Sequence, residues 1–128
     1  MGYDSEYAEN QYRLEAAIMK LGEMPKWSCT PYYQGSVPRA GQNIAWAESS
    51  AVSFANSVLG ARTNRTPAGL AVCAALTGKM PRYGLYLSEN RKATIKINVE
   101  AAGLTSLDYN TIGIITGKIA GAKIPAIY

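Results

Sequence analysis

The chain has no histidine, one phenylalanine and two cysteines among its 128 residues. Without histidine, no imidazole is available to a metal centre, and two cysteines are too few for a disulfide framework of the kind that staples small secreted folds. No apolar run approaches the roughly 20 residues that a membrane-spanning helix needs, so no membrane partner is expected. Charge is also sparse, at 17% of residues, and the net +4 is spread along the chain without a basic stripe. That distribution argues against a nucleic-acid partner and is enough for a phosphate or carboxylate ligand. Residues 1–10 are polar and acidic where a secretory signal would be basic and then apolar, so the expected location is cytoplasmic. Neither an internal repeat nor a low-complexity segment is present.

What remains is a composition 48% hydrophobic, in a chain of 13.7 kDa, the size of one compact domain with its own core, expected over residues 1–128. The two cysteines read as separate thiols. Cys73 lies in the apolar run Leu70-Ala71-Val72-Cys73-Ala74-Ala75-Leu76, where cysteine acts as a small hydrophobe. Cys29, between Ser28 and Thr30 and ahead of Pro31, is expected at the end of a short strand over residues 26–30, with its thiol facing a crevice.

Periodicity predicts alternating helices and short strands, hence a layered α/β domain. Residues 4–21 read as an amphipathic helix capped by Asp4 or Ser5 and ended by Gly22. Residues 31–42, with two prolines and two glycines, form a loop. A second helix is expected from Gln42 or Asn43 to Gly60, and a third starting at Thr66-Pro67. Further on, residues 83–87 and 93–100 read as two strands of a hairpin across the link 88–91, with Arg91 closing the turn. A last helix over residues 106–119 is expected to be capped by Ser106 or Asp108 and ended by Gly121, with residues 124–128 returning as a strand.

The strongest candidate site lies around the break after the second helix. Ser49, Ser50 and Asn56 run through that helix as short polar side chains where a solvated face would favour long charged ones, which implies a close neighbour, either a ligand or another helix. Arg62, Asn64 and Arg65 follow in the loop 60–65, beside the backbone donors that open the third helix. Helix N-termini attract anions, and arginine offers a planar fork to carboxylate or phosphate. The same arginines also suit a solvated surface loop.

Five ordered blocks carry a more specific signal. Cys29-Thr30-Pro31-Tyr32, then Ile44-Ala45-Trp46-Ala47-Glu48-Ser49-Ser50-Ala51-Val52, the stretch from Asn56 to Arg65, Ala75-Leu76-Thr77-Gly78-Lys79-Met80-Pro81 and Glu89-Asn90-Arg91 together resemble the large-subunit region of aconitase X. The resemblance runs from about residue 21 onward. It implies an aconitase-like α/β fold and an iron–sulfur hydro-lyase dehydrating a small anionic hydroxy acid, either mevalonate 5-phosphate or cis-3-hydroxy-L-proline. Members of that family are several times longer, so the chain looks like an internal segment, with partners in the missing large-subunit region and in a small subunit or swivelling domain.

By the same resemblance Cys29 is one metal ligand. An iron–sulfur cluster usually takes three or four thiolates, so the others would come from outside these residues. Ser49, Ser50, Asn56, Arg62, Asn64 and Arg65 are then expected to bind substrate; no residue stands out as the catalytic base. Pro67 and Cys73 look like the hydroxyproline type, whereas Asn64-Arg65 and Glu89-Asn90-Arg91 look like the phosphate type. Arg65 tips the expectation slightly towards mevalonate 5-phosphate. A second reading makes the chain a catalytically inactive anion-binding or assembly module of the same fold.

Overall fold

A computed structural model describes residues 2–24 and 26–128, in two compact units, Met1–Tyr86 and Leu87–Tyr128. The first unit holds helices α1 (Ser5–Lys20), α2 (Ser49–Ser57) and α3 (Ala68–Thr77), with short 3-10 turns at Pro31–Gln34 and Gly84–Tyr86. The second holds a 3-10 turn at Ser88–Arg91, strand β1 (Ile95–Ile97), helix α4 (Ser106–Ala120) and strand β2 (Pro125–Ile127). The α/β class expected from the alternation is the one observed.

Local chemistry explains α1 at both ends. Asp4 accepts a hydrogen bond from the Tyr7 N–H at 2.7 Å, satisfying one of the helix's orphan donors, and Gly22 takes φ 90° just past the last turn. Only Ile18 of its 16 residues is buried. Tyr3 and Tyr7 stack at 4.9 Å on its exposed face.

The frame of the first unit is a parallel pairing of two extended stretches. Gly41 N–H donates to Gly60 O, Arg62 N–H to Gln42 O and Ile44 N–H to Arg62 O, at 2.8 to 3.0 Å. Thr66 N–H then reaches Trp46 O at 3.3 Å. This pairing corrects the expected start of the second helix. Residues 42–46 spend their backbone groups on residues 60–66, and the helix begins only at Ser49. The core beside this frame is small: Ala51 and Ala55, one turn apart on α2, are fully buried, as are Ala61 and Thr63, with Thr66 nearly so.

Two other expectations change here. Residues 26–30 form no strand; Thr30 N–H instead closes a turn onto Ser28 Oγ at 3.1 Å. Thr66 does not cap α3, because its hydroxyl donates to Asn64 O at 3.1 Å and Pro67 occupies the cap position. Gly78 ends that helix in the left-handed conformation with φ 65°.

The hairpin expected over residues 83–100 does not form. Residues 84–86 and 88–91 coil into 3-10 turns, and β1 pairs in parallel with β2 across α4, with Ile95 opposite Pro125 and Ile97 opposite Ile127. The strand expected at residues 124–128 is therefore β2. Thr105, one residue earlier than expected, caps α4: its N–H and hydroxyl both donate to Asp108 Oδ2, at 2.7 and 2.6 Å. The hydroxyl first, then the N–H, hold the Asp108 carboxyl below the usual carboxylate range. Its contribution to α4 is thus fully present above the ordinary carboxylate value and is lost as pH falls through the lowered one.

Candidate functional site

Five of the six residues expected to meet a substrate fall into two places within the first unit, and Arg65 stands apart from both. Asn56, Arg62 and Asn64 belong to a network that fixes the chain around the parallel frame. Asn56, half-buried on α2, donates through Nδ2 to Val52 O at 2.9 Å and to Thr63 O at 2.8 Å, while its Oδ1 accepts from Thr63 N–H at 3.4 Å. The close neighbour implied by its short polar side chain is therefore its own chain. Asn64 likewise clamps the turn before Tyr86, donating to Tyr83 O at 3.1 Å and accepting from Leu85 N–H at 2.8 Å. Arg62 Nη1 donates to Tyr86 O at 2.9 Å, and the Tyr86 hydroxyl to Ile44 O at 2.8 Å.

Ser50 and Cys29 meet at the opening of α2, whose first residue is Ser49. The Ser50 hydroxyl donates to Cys29 O at 3.3 Å, tying the thiol-bearing loop to the first turn of the helix. Glu48 stands at the cap position without capping through its side chain, so the first-turn N–H groups are not satisfied by it. Beside this junction is a cleft of about 420 Å³. Its walls come from three stretches: residues 24–36 (Lys26, Trp27, Ser28, Pro31), residues 45–51 (Trp46, Glu48, Ala51) and the first turns of α3 (Ala68, Ala71, Val72). The starts of two helices thus line one cavity, a setting in which backbone donors and macrodipoles favour an anion. Lys26, whose ammonium donates to Ser36 Oγ at 2.9 Å, adds a cation at its wall, offset by the Glu48 carboxylate on the same wall.

Lys26 and Trp46 were not picked out from the sequence as site residues. No spacing signals them, since they come together only through the fold. Arg65 is exposed, two residues before the cap position of α3.

Both thiols are exposed. For Cys73 this is a correction: α3 buries Ala74, and the thiol lies on the side turned to solvent. For Cys29, the backbone follows a turn where a strand end was expected. Among the described residues, no group of three or more cysteine, aspartate or glutamate side chains is placed to hold a metal ion.

With the cleft placed at two helix starts of an α/β chain, comparison with known proteins gives its family. Residues 1–89 match the aconitase X first domain. The phosphomevalonate dehydratase large subunit of Methanothermobacter thermautotrophicus is 50% identical over 98% of this chain and 31% of its own length. A cis-3-hydroxy-L-proline dehydratase of Pseudomonas aeruginosa is 43% identical over 98% of this chain and 22% of its own. The crystal structure of Thermococcus kodakaraensis aconitase X in its holo-form superposes with a TM-score of 0.86 at 46% identity, covering 99% of this chain and 33% of that one. The chain belongs to the aconitase X family, as the five ordered blocks implied, and spans about a third of the large-subunit relatives it matches.

Proposed function

We propose that the chain is a portion of the large subunit of an iron–sulfur-dependent hydro-lyase that dehydrates mevalonate 5-phosphate. The observation that carries the substrate is the 50% identity to a phosphomevalonate dehydratase large subunit, against 43% to a hydroxyproline dehydratase. Its remaining partners are the rest of the large subunit and a small subunit. No helix among the described residues is long and apolar enough to cross a membrane, which suits a cytoplasmic enzyme.

The donor set tests the cofactor directly. One exposed thiol at Cys29, with no three-donor group among the described residues, does not hold an iron–sulfur cluster on its own. In this reading Cys29 supplies one thiolate and the remaining ligands come from elsewhere in the large subunit, so the reaction belongs to the assembled enzyme. What this chain contributes is binding. Ser49 and Ser50 present hydroxyls and first-turn N–H groups, and Arg65 supplies a cation to the phosphate or carboxylate. Arg62, Asn56 and Asn64 complete the substrate-binding set chiefly by holding the loop that carries Arg65.

The alternative, a catalytically inactive anion-binding or assembly module, draws on the same absence of a three-donor group. The place of Cys29 in the ligand set is tested in a chimera in which these 128 residues replace the corresponding third of the Methanothermobacter large subunit. After anaerobic reconstitution with iron and sulfide, Cys29→Ser is expected to lose most of the bound iron while Cys73→Ser keeps it. Parental iron content in Cys29→Ser would remove Cys29 from the ligand set.

A further inference from the structure

The second unit cannot be a finished domain by its own packing. A parallel pair of strands is normally covered on both faces and extended by further strands, yet β1 and β2 have three residues each and pair only with one another among the described residues. Thr116 and Ala120 are the buried residues of α4, a narrow stripe for a helix of 15 residues. Its opposite side is apolar. Leu107, Ile114, Ile115 and Ile119 recur at i, i+7, i+8 and i+12, the spacing of one helical face, and are 72%, 61%, 50% and 55% exposed. Thr111, Lys118 and, in the first turn, Asp108 with its carboxylate held by Thr105 are the other residues on that face. A stripe of this kind belongs against another element, because a surface helix usually turns its apolar face inward.

Two independent boundaries place this unit outside the first domain. The match to the aconitase X first domain stops at residue 89, and the first compact unit stops at Tyr86, within three residues of it. The relatives have the length to supply a cover, since this chain spans 31% of one large subunit and 33% of the solved one. We infer that Leu87–Tyr128 is a βαβ segment of a second domain, and that the Leu107–Ile114–Ile115–Ile119 ridge of α4 docks against the remaining two thirds of the same large-subunit polypeptide. The open edges of β1 and β2 are then where its further strands add. Pro125, which has no N–H to offer, lies on the outer edge of β2, whereas Lys96 turns a complete peptide group to the outer edge of β1. Growth of the sheet from β1 follows.

The test uses this chain and, as a separate polypeptide, the rest of the Methanothermobacter large subunit. The expected result is a one-to-one complex by light scattering, weakened at least about 100-fold by Ile114→Asp with Ile115→Asp, since two buried anchors are lost together. Both positions face solvent here, so circular dichroism should show the variant chain folded; Leu107→Lys with Ile114→Lys is the second pair if it does not. Absence of a complex with the parent chain would overturn the inference, as would equal affinity in folded variants of either pair. A dimer of this chain alone that the same substitutions dissolve would assign the ridge to a second copy and overturn it equally.

Discussion

Replacing Asn56 by aspartate is expected to destabilise the first unit by about 2–4 kcal/mol, because it removes donors and adds charge at a site that needs donors. The Asn56 amide gives hydrogen bonds to two carbonyls, Val52 O at 2.9 Å and Thr63 O at 2.8 Å. Aspartate is the same size, so no cavity or clash complicates the comparison. Its second oxygen, however, faces those two carbonyls with nothing to donate. The reciprocal bond from Thr63 N–H survives and even gains charge, which sets the lower end of the range. Urea titration followed by circular dichroism would show the shift as a lower midpoint at unchanged slope. Lowering the pH restores one donor by protonating the carboxyl and is expected to recover part of the loss. A change under about 0.5 kcal/mol, the size typical of inert surface substitutions, would show that this amide does not hold the loop.

Gly84→Ala should produce a comparable loss, about 2–4 kcal/mol, from backbone strain and collision acting at one position. Gly84 has φ 57°, in the left-handed region, and a Cβ built there would meet the Asn64 amide, 2.9 Å from its Cγ and 3.0 Å from its Nδ2. Asn64 cannot simply swing aside. Its amide is the clamp that donates to Tyr83 O and accepts from Leu85 N–H. The substitution therefore breaks the link between the loop 60–65 and the turn at Gly84–Tyr86, and with it the seat of the Arg62 guanidinium on Tyr86 O. A fall in melting temperature accompanied by weaker anion binding in the assembled enzyme is the expected pair of results. An unchanged melting temperature would mean that the turn tolerates a side chain and that the clamp is not rigid.

Features set by neighbouring residues were readable from the sequence, and features set by distant ones were not. Asp4, Gly22 and the helical spacing of the apolar residues between them mark α1 because capping and left-handed glycine are local chemistry. The helix over residues 106–119 was correct within a residue for the same reason, although the cap is Thr105. The start of α2 was placed too early because residues 42–46 have helical composition; the partners that pull them straight are at residues 60–66. Ile95 and Ile97 were rightly read as strand, although β1 ends before Val99, and their partner lies beyond a whole helix at β2, which no periodicity reports. The cleft shows the same limit: the singled-out Ser50 and Cys29 are joined beside it by a hydrogen bond, whereas its walls come from residues such as Lys26 and Trp46, which only folding brings together. Likewise the short polar side chain of Asn56 signalled a close neighbour, and the structure identifies it as Val52 and Thr63 of the same chain.

The central claim, that this segment serves a mevalonate 5-phosphate dehydratase, is tested most directly by turnover. The chimeric large subunit carrying these 128 residues would be assembled with its small subunit, loaded with iron and sulfide, and assayed for loss of water from mevalonate 5-phosphate and from cis-3-hydroxy-L-proline. The account predicts dehydration of the phosphate substrate and none of hydroxyproline. Turnover of hydroxyproline alone, or of neither acid by a soluble chimera with its full complement of iron, would contradict it.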